Sequence, residues 1–332
     1  MSVLWNRREF VRASAASSMV LPFSEAVFNL FSSDAQAVRL GVIADLHQDV
    51  MHDAPRRLGL FLDAMHQQKP DAIIQLGDFA YPSTDNQAFL RQFNEAGYKP
   101  IHVLGNHDMD AGYTRQQCVD TWGMPGFYSA QRVNGLLLLV LDGNDKDSPT
   151  HQGGYARFVG PEQVRWLEEQ LTGATEPVIV ISHQPLAGPS AVDNAKELQD
   201  VLGRHANKIL FAMNGHTHID YVTEVQGVVY WHVNSASYHW VGGNHIHSSY
   251  PEAVHKKYPD IAYTCPYQEP LYATITIDPE SRRVQIEGTK TDWVGSTPSE
   301  LDVQPIEHPV HNPMVPQIRK QVFGKAKEKP GK

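Results

Sequence analysis

The sequence predicts a layered α/β domain, and three observations carry that prediction. Short apolar runs alternate with stretches whose apolar residues recur at helical spacing. Most of those runs stop at Gly, Asp, Asn or His, as strands do where they meet a loop. The chain has 332 residues, 41% hydrophobic and 20% charged, which is enough for one substantial core.

The elements follow in order. Residues 38–44 form a buried strand. Residues 57–68 place Leu58, Phe61, Leu62 and Met65 at offsets of three, four and seven on one helical face. A second strand occupies 72–76, a second helix 87–96 with Phe89, Leu90 and Phe93 inward, and a third strand 101–104. This βαβαβ order favours parallel neighbours. The middle changes character: runs at 127–130 and 136–141 flank Val133, Asn134 and Gly135, a turn sequence that predicts an antiparallel hairpin. A helix over 161–171 starts on Pro161 and turns Val164, Leu167 and Leu171 inward. Strand 178–182, helix 195–205 and strand 209–213 come next. The closing runs 222–225, 228–233, 272–277 and 283–288 have a hairpin rhythm. Two packed sheets flanked by helices accommodate this order.

Two segments carry no period. Residues 239–270 are rich in His, Tyr, Pro and Gly and read as a long loop, a length usually tied to function. Residues 318–332 hold six Lys or Arg against one Glu, a composition that predicts disorder.

The formal net charge is -9, which argues against a protein that coats nucleic acid through phosphate contacts. Cys118 and Cys265 are the only cysteines and lack CxxC spacing, so neither a disulfide framework nor a thiolate metal site is indicated. At the N-terminus, Asn6, Arg7, Arg8, Glu9, Phe10, Val11 and Arg12 lead into a small and apolar stretch ending near Ala35, Gln36 and Ala37. This resembles a twin-arginine export signal with its cleavage site. Ser14, Ser17, Ser18, Pro22, Ser24 and Glu25 interrupt the stretch, leaving it short of the roughly twenty apolar residues of a membrane span. The expected organisation is an export signal over 1–37, one domain over 38–298 and a C-terminal extension over 299–332, disordered at its end. Such a chain would meet the twin-arginine export machinery, carry no permanent membrane anchor, and work in the periplasm or outside the cell.

The chemistry is written at the ends of five apolar runs. They lead into Asp45-Leu46-His47, Gly77-Asp78, Gly105-Asn106-His107-Asp108, His183, and Gly215-His216-Thr217-His218. In α/β sheets, ligands bind outside the carboxyl ends of strands, so these groups are expected to converge. Residues two apart on a strand share a face, which would pair Asp45 with His47 and His216 with His218. The glycines before Asp78, Asn106 and His216 allow tight backbone. Carboxylate oxygen and imidazole without thiolate suit Fe, Mn, Zn or Ni rather than Ca or Mg.

The same five blocks resemble the motif series of the calcineurin-like metallophosphoesterases: D-x-H, G-D, G-N-H-D/E, a lone His, and G-H-x-H. The resemblance spans about residues 38–220 and implies a four-layer αββα sandwich of two mixed sheets flanked by helices. It further implies two metal ions per chain, of the Fe, Mn or Zn type. By this likeness Asp45, His47, Asp78 and His218 hold the first, and Asp78, Asn106, His183 and His216 the second. His107 would face the substrate. Gly77-Asp78-Phe79-Ala80-Tyr81 also fits a block of the purple acid phosphatases, in which the Tyr is a ligand; that family lacks the His of D-x-H, and His47 is present here, which favours packing or support of the ligands over a ligand role for Tyr81.

The implied activity is hydrolysis of a small phosphate ester, monoester or diester, by in-line attack of metal-activated hydroxide with assistance from His107. Asp108 and Asp220 are expected to orient imidazoles. Asn234, Tyr238, His239, His245 and His247 are candidates for the substrate side. Two other readings use the same residues: a non-catalytic binding protein of this fold, and a nuclease. Ligand positions filled throughout argue against the first, and the acidic balance against the second.

Overall fold

The computed structural model describes residues 37–324; the expected export signal, but for Ala37, and the basic end beyond Gly324 lie outside the described residues. Strands are β1 (Val38–Ile43), β2 (Ala72–Gln75), β3 (Lys99–His102), β4 (Ser129–Val133), β5 (Leu136–Val140), β6 (Val178–Ser182), β7 (Ile209–Asn214), β8 (Tyr221–Val225), β9 (Val228–His232), β10 (Tyr238–Trp240), β11 (Thr264–Pro266), β12 (Ala273–Asp278), β13 (Arg283–Gly288) and β14 (Gln321–Phe323). Helices are α1 (Ala54–Gln68), α2 (Gln87–Asn94), α3 (Arg115–Trp122), α4 (Pro161–Gly173), α5 (Ala195–Arg204) and the short α6 (Glu252–Lys257).

Two six-stranded mixed sheets result, ordered β14-β13-β12-β1-β2-β3 and β4-β5-β6-β7-β9-β8. The neighbours β1, β2 and β3 are parallel, as are β5, β6, β7 and β9, while the outer pairs are antiparallel. Side-chain alternation explains the stacking. Val38, Leu40 and Val42 enter the core shared with Leu138 and Ile181 of the other sheet. Ile43 and Ile73 instead join Leu58, Phe61 and Met65 of α1 and Phe93 of α2. On the far side, Leu137, Leu139, Val178 and Val180 pack against Leu167 of α4 and Leu198 of α5. Each such fully buried aliphatic side chain is worth about 1.5–3 kcal/mol relative to exposure. The four-layer αββα sandwich is therefore present, with helices on both outer faces.

The expected hairpin in the middle forms, joined by Asn134 (φ 43°) and Gly135 (φ 83°), with Val133 opposite Leu136. Its first strand runs to the turn itself, at 129–133 rather than 127–130. Both cysteines are free and buried. No helix among the described residues is long and apolar enough to cross a membrane.

Three elements depart from the sequence expectation. Helix α3 starts on a reciprocal capping box between Thr114 and Gln117, a T-x-x-Q signal that lacks a long apolar period behind it. Segment 239–270 is not irregular throughout, since Tyr238↔Pro266, His239↔Cys265 and Trp240↔Thr264 pair as a small antiparallel sheet. The start of the tail expected to be disordered is ordered instead: β14 pairs with β13, and Ile318 and Phe323 enter the inter-sheet core. The charges there are not idle, because Arg319 and Lys320 bond Asp220 and Glu287.

Candidate metal centre

The residues that follow β1, β2, β3, β6 and β7 meet at one place. Asp45, His47 and His218 bring ligand-capable atoms together, and so do Asp78, His183 and His216, each set lying within 4.8 Å. All are buried except His216, which is partly so. Within the first set, His218 Nε2 is 3.3 Å from Asp45 Oδ1 and 3.2 Å from His47 Nε2. Within the second, His183 Nε2 is 3.2 Å from Asp78 Oδ2, 3.2 Å from His216 Nδ1 and 3.1 Å from Asn106 Oδ1. Asp78 Oδ2 also lies 3.8 Å from His47 Nε2, so this carboxylate sits at the junction of the two sets.

The convergence has a different cause from strand alternation. Strands β1 and β7 end before their ligand residues, and the chain there turns through left-handed conformations: Asp45 φ 51°, His47 51°, Asp78 48°, His216 68° and His218 50°. Such backbone costs about 1–3 kcal/mol per non-glycine residue and persists only where the surroundings fix it. Here Asp45 N donates to Gly77 O, His47 N to Asp78 O, and His216 N to both Asp45 oxygens (2.9 and 3.1 Å). The twist also sends His216 and His218 to different sets. Gly105 is required by contact, since a Cβ there would lie 2.1 Å from Asp78 N.

The donor set fits cations. His183 Nδ1 donates to Leu76 O (2.7 Å) and His218 Nδ1 to Tyr238 O (2.9 Å), which leaves each Nε2 facing the carboxylates and its neighbouring ring. Several acceptors thus point at common spaces with too few protons to satisfy them, and the buried Asn106 Nδ2 has no partner among the described residues while its Oδ1 faces His183. Burial lowers the His47 and His216 imidazoles, His216 to about 3, so both are neutral. Burial acts against His183 too, but the Asp78 charge outweighs it and holds that ring at about 9; a bound cation would replace that proton.

His107 stands at the edge of the centre, its ring 5.3 Å from that of His47. Its backbone N–H donates to Asp78 Oδ1 (2.7 Å), and its Nδ1 pairs with Asp110 Oδ2 (2.7 Å). Burial lowers its pKa, yet Asp78 and Asp110 together raise it to about 9. Tyr155 donates from its hydroxyl to Asp110 (2.9 Å) and stacks obliquely on the His107 ring at 4.7 Å. Neither Asp110 nor Tyr155 follows from a motif; only an Asp three residues after His107 hinted at the first.

Other expectations are corrected. The Asp108 carboxylate orients no imidazole: it receives the backbone N–H groups of Asp78, Phe79, Ala80 and Gly105 at 2.7–3.1 Å, tying two ligand loops together. Asp220 pairs with Arg319 (2.7 Å). Backbone carbonyls orient the His183 and His218 imidazoles instead. Asn234, Tyr238 and His239 are buried supports rather than substrate-side groups: Tyr238 stacks on His47 (5.0 Å) and His239 Nδ1 donates to His218 O. His247 Nδ1 donates to His245 O, both partly exposed. Tyr81 lies beside Tyr113 and donates its backbone N–H to Asp49.

The sequence matches the model of one family, described as calcineurin-like phosphoesterase, over residues 38–220. Among solved structures, a dimetal phosphatase from Danio rerio is 15% identical with a TM-score of 0.54, covering 77% of this chain and 98% of that chain. A phosphopantetheinyl hydrolase from Mycobacterium tuberculosis is 16% identical with a TM-score of 0.42, over 60% and 90% of the two chains. No curated protein matches the sequence. The first likeness shows the fold. The family match spans more than half of the chain and every residue of both ligand sets, and the chain belongs to the calcineurin-like phosphoesterase family.

Proposed function

We propose that this phosphoesterase hydrolyses small phosphate esters with two transition-metal ions of the Fe, Mn or Zn type. The observation that carries the reading is the position of Asp78 Oδ2 between the two sets, 3.2 Å from His183 Nε2 and 3.8 Å from His47 Nε2. Asp45, His47, Asp78 and His218 would hold one ion, and Asp78, Asn106, His183 and His216 the other. Bound there, the pair would supply Lewis acidity toward phosphate oxygens and bring the pKa of coordinated water toward neutrality.

The chain's own residues do the rest. Asp45 and Asp78 bring only two negative charges against the four positive charges of two divalent ions, so the loaded site would be locally positive and select phosphate. His107, held through Nδ1 by Asp110, keeps Nε2 to donate to the phosphoryl group or to the departing oxygen. Tyr238, buried, packs behind His47 and His218.

Metal analysis of purified protein beside assays with p-nitrophenyl phosphate and bis(p-nitrophenyl) phosphate tests this. Two equivalents per chain and chelator-sensitive release of p-nitrophenol are expected, and the ratio of the two rates assigns monoester or diester preference. Hydrolysis untouched by chelation, or an ion content below two, overturns the reading.

The proposal extends to location, in the periplasm or outside the cell, through the Arg7-Arg8 leader. Changing both arginines to lysine should keep the full-length protein in the cytoplasm. Unchanged export removes this part.

A further inference from the structure

We propose that residues 312–319, beyond the stretch matched by the family, brace one half of the metal centre and set its affinity for metal. Arg319 and Asn234 are the positioning residues. The inference rests on the two-metal reading above.

Two sets of contacts lead from this segment to the same half of the centre. In the first, Arg319 donates to Asp220 Oδ2 from Nη1 (2.7 Å) and from its backbone N–H (3.1 Å), while Asp220 N donates to Pro313 O (3.0 Å). Asp220 is 1% exposed and stands two residues after His218. In the second, Asn234 Nδ2 donates to Val315 O (2.7 Å) and Gln317 O (3.2 Å). Its Oδ1 receives the Ser235 N–H, and Ser235 Oγ donates to the carbonyl of Asp45 (2.9 Å). The first route therefore ends beside His218 and the second on Asp45, two members of the same set. The other set is tied down from Leu76 and Asp108, within the matched stretch.

That asymmetry separates a positioning role from general stability. Residues that support a ligand without touching the metal typically change metal affinity about 10–100-fold. Loss of Arg319 should therefore weaken one ion by that factor and leave the other as it was.

The test is titration of chelator-stripped full-length protein with Mn²⁺, following free Mn²⁺ by electron paramagnetic resonance. Wild type should take up two ions. Arg319→Gln should hold one ion with unchanged affinity and the second about 10–100-fold more weakly, and Arg319→Lys should recover part of the loss. Asn234→Asp keeps the acceptor for Ser235 and Tyr267 but removes the donors to Val315 and Gln317, and serves if Arg319→Gln fails to fold. Both ions unchanged in a folded variant, or both weakened alike, overturns the inference while the two-metal reading stands. Fewer than two ions on wild type removes that reading and this one with it.

Discussion

The two halves of the metal centre use the same side-chain types, yet different parts of the chain hold them. The half built on Asp78, Asn106, His183 and His216 is fixed locally: Leu76 O receives the His183 ring, and the Asp108 carboxylate gathers four backbone N–H groups from the two loops that carry Asp78 and Asn106. The half built on Asp45, His47 and His218 is fixed from afar. Tyr238 O receives the His218 ring, Ser235 and Ser237 hold the carbonyls of Asp45 and Leu46, and the C-terminal segment stands behind Asp220 and Asn234. Catalytic chemistry can thus be compact in sequence while its support is spread over the chain.

The largest effect should come from the group common to both halves. Asp78→Asn replaces the shared carboxylate with a neutral amide, and activity is expected to fall by more than the roughly 10–100-fold typical of a supporting residue. Metal content should drop below two per chain by elemental analysis. Retention of both ions at wild-type affinity would show that Asp78 does not join the halves. His107→Ala probes the opposite case, a residue beside both sets but in neither. Turnover should fall by about 10²–10⁴-fold with both metals bound, most with a poorly leaving alcohol and least with p-nitrophenol. Near-normal turnover at full metal content removes His107 from the reaction.

These contrasts follow what the sequence made legible. Strand ends, polar motifs and their glycines were readable because each ligand lies within a few residues of a strand, and all of them lie inside 38–220. The left-handed turns were not readable, because Asp45 and His47 look like ordinary alternating strand positions until the hydrogen bonds to Gly77 and Asp78 are seen. Nor was the role of Arg319, which sits in a basic stretch whose composition resembles a disordered tail and whose function depends on meeting Asp220 at a separation of 99 residues. Asp108 was recognised as a supporting residue, but its partners are backbone groups that no sequence pattern shows.

Asp108→Asn sharpens the comparison from the other side. An amide cannot accept from all four N–H groups as a carboxylate does, so the loops bearing Asp78 and Asn106 should loosen. Affinity at the second half should fall about 10–100-fold, with a smaller fall at the first half, which shares only Asp78 of the loosened residues. Mn²⁺ titration reads both. Equal loss at the two halves would mean that the centre behaves as one rigid unit.

The smallest effect concerns two histidines that stand behind the centre and bind nothing in it. His102 Nε2 donates to Asn94 Oδ1 (2.6 Å), while Gln75 Nε2 donates to its Nδ1 (3.2 Å); Gln75 Oε1 in turn receives the Gly77 N–H beside Asp78. His232 Nε2 donates to Ala187 O and its Nδ1 accepts from Thr217 Oγ1, between His216 and His218. Burial lowers His102 to about 3 and His232 to about 4. Above about pH 7.5 neither the folded nor the unfolded chain protonates these rings appreciably, and they add little pH dependence. Below it the unfolded chain takes up protons that the folded chain refuses, so stability falls as pH drops, by about 2 kcal/mol per histidine at pH 5. Urea unfolding of metal-free protein at pH 7.5 and pH 5 measures this fall. His102→Gln removes one titrating ring and should flatten the slope by about half of the pair's share; an unchanged slope would mean that His102 is already protonated in the fold, against the direction in which Gln75 donates.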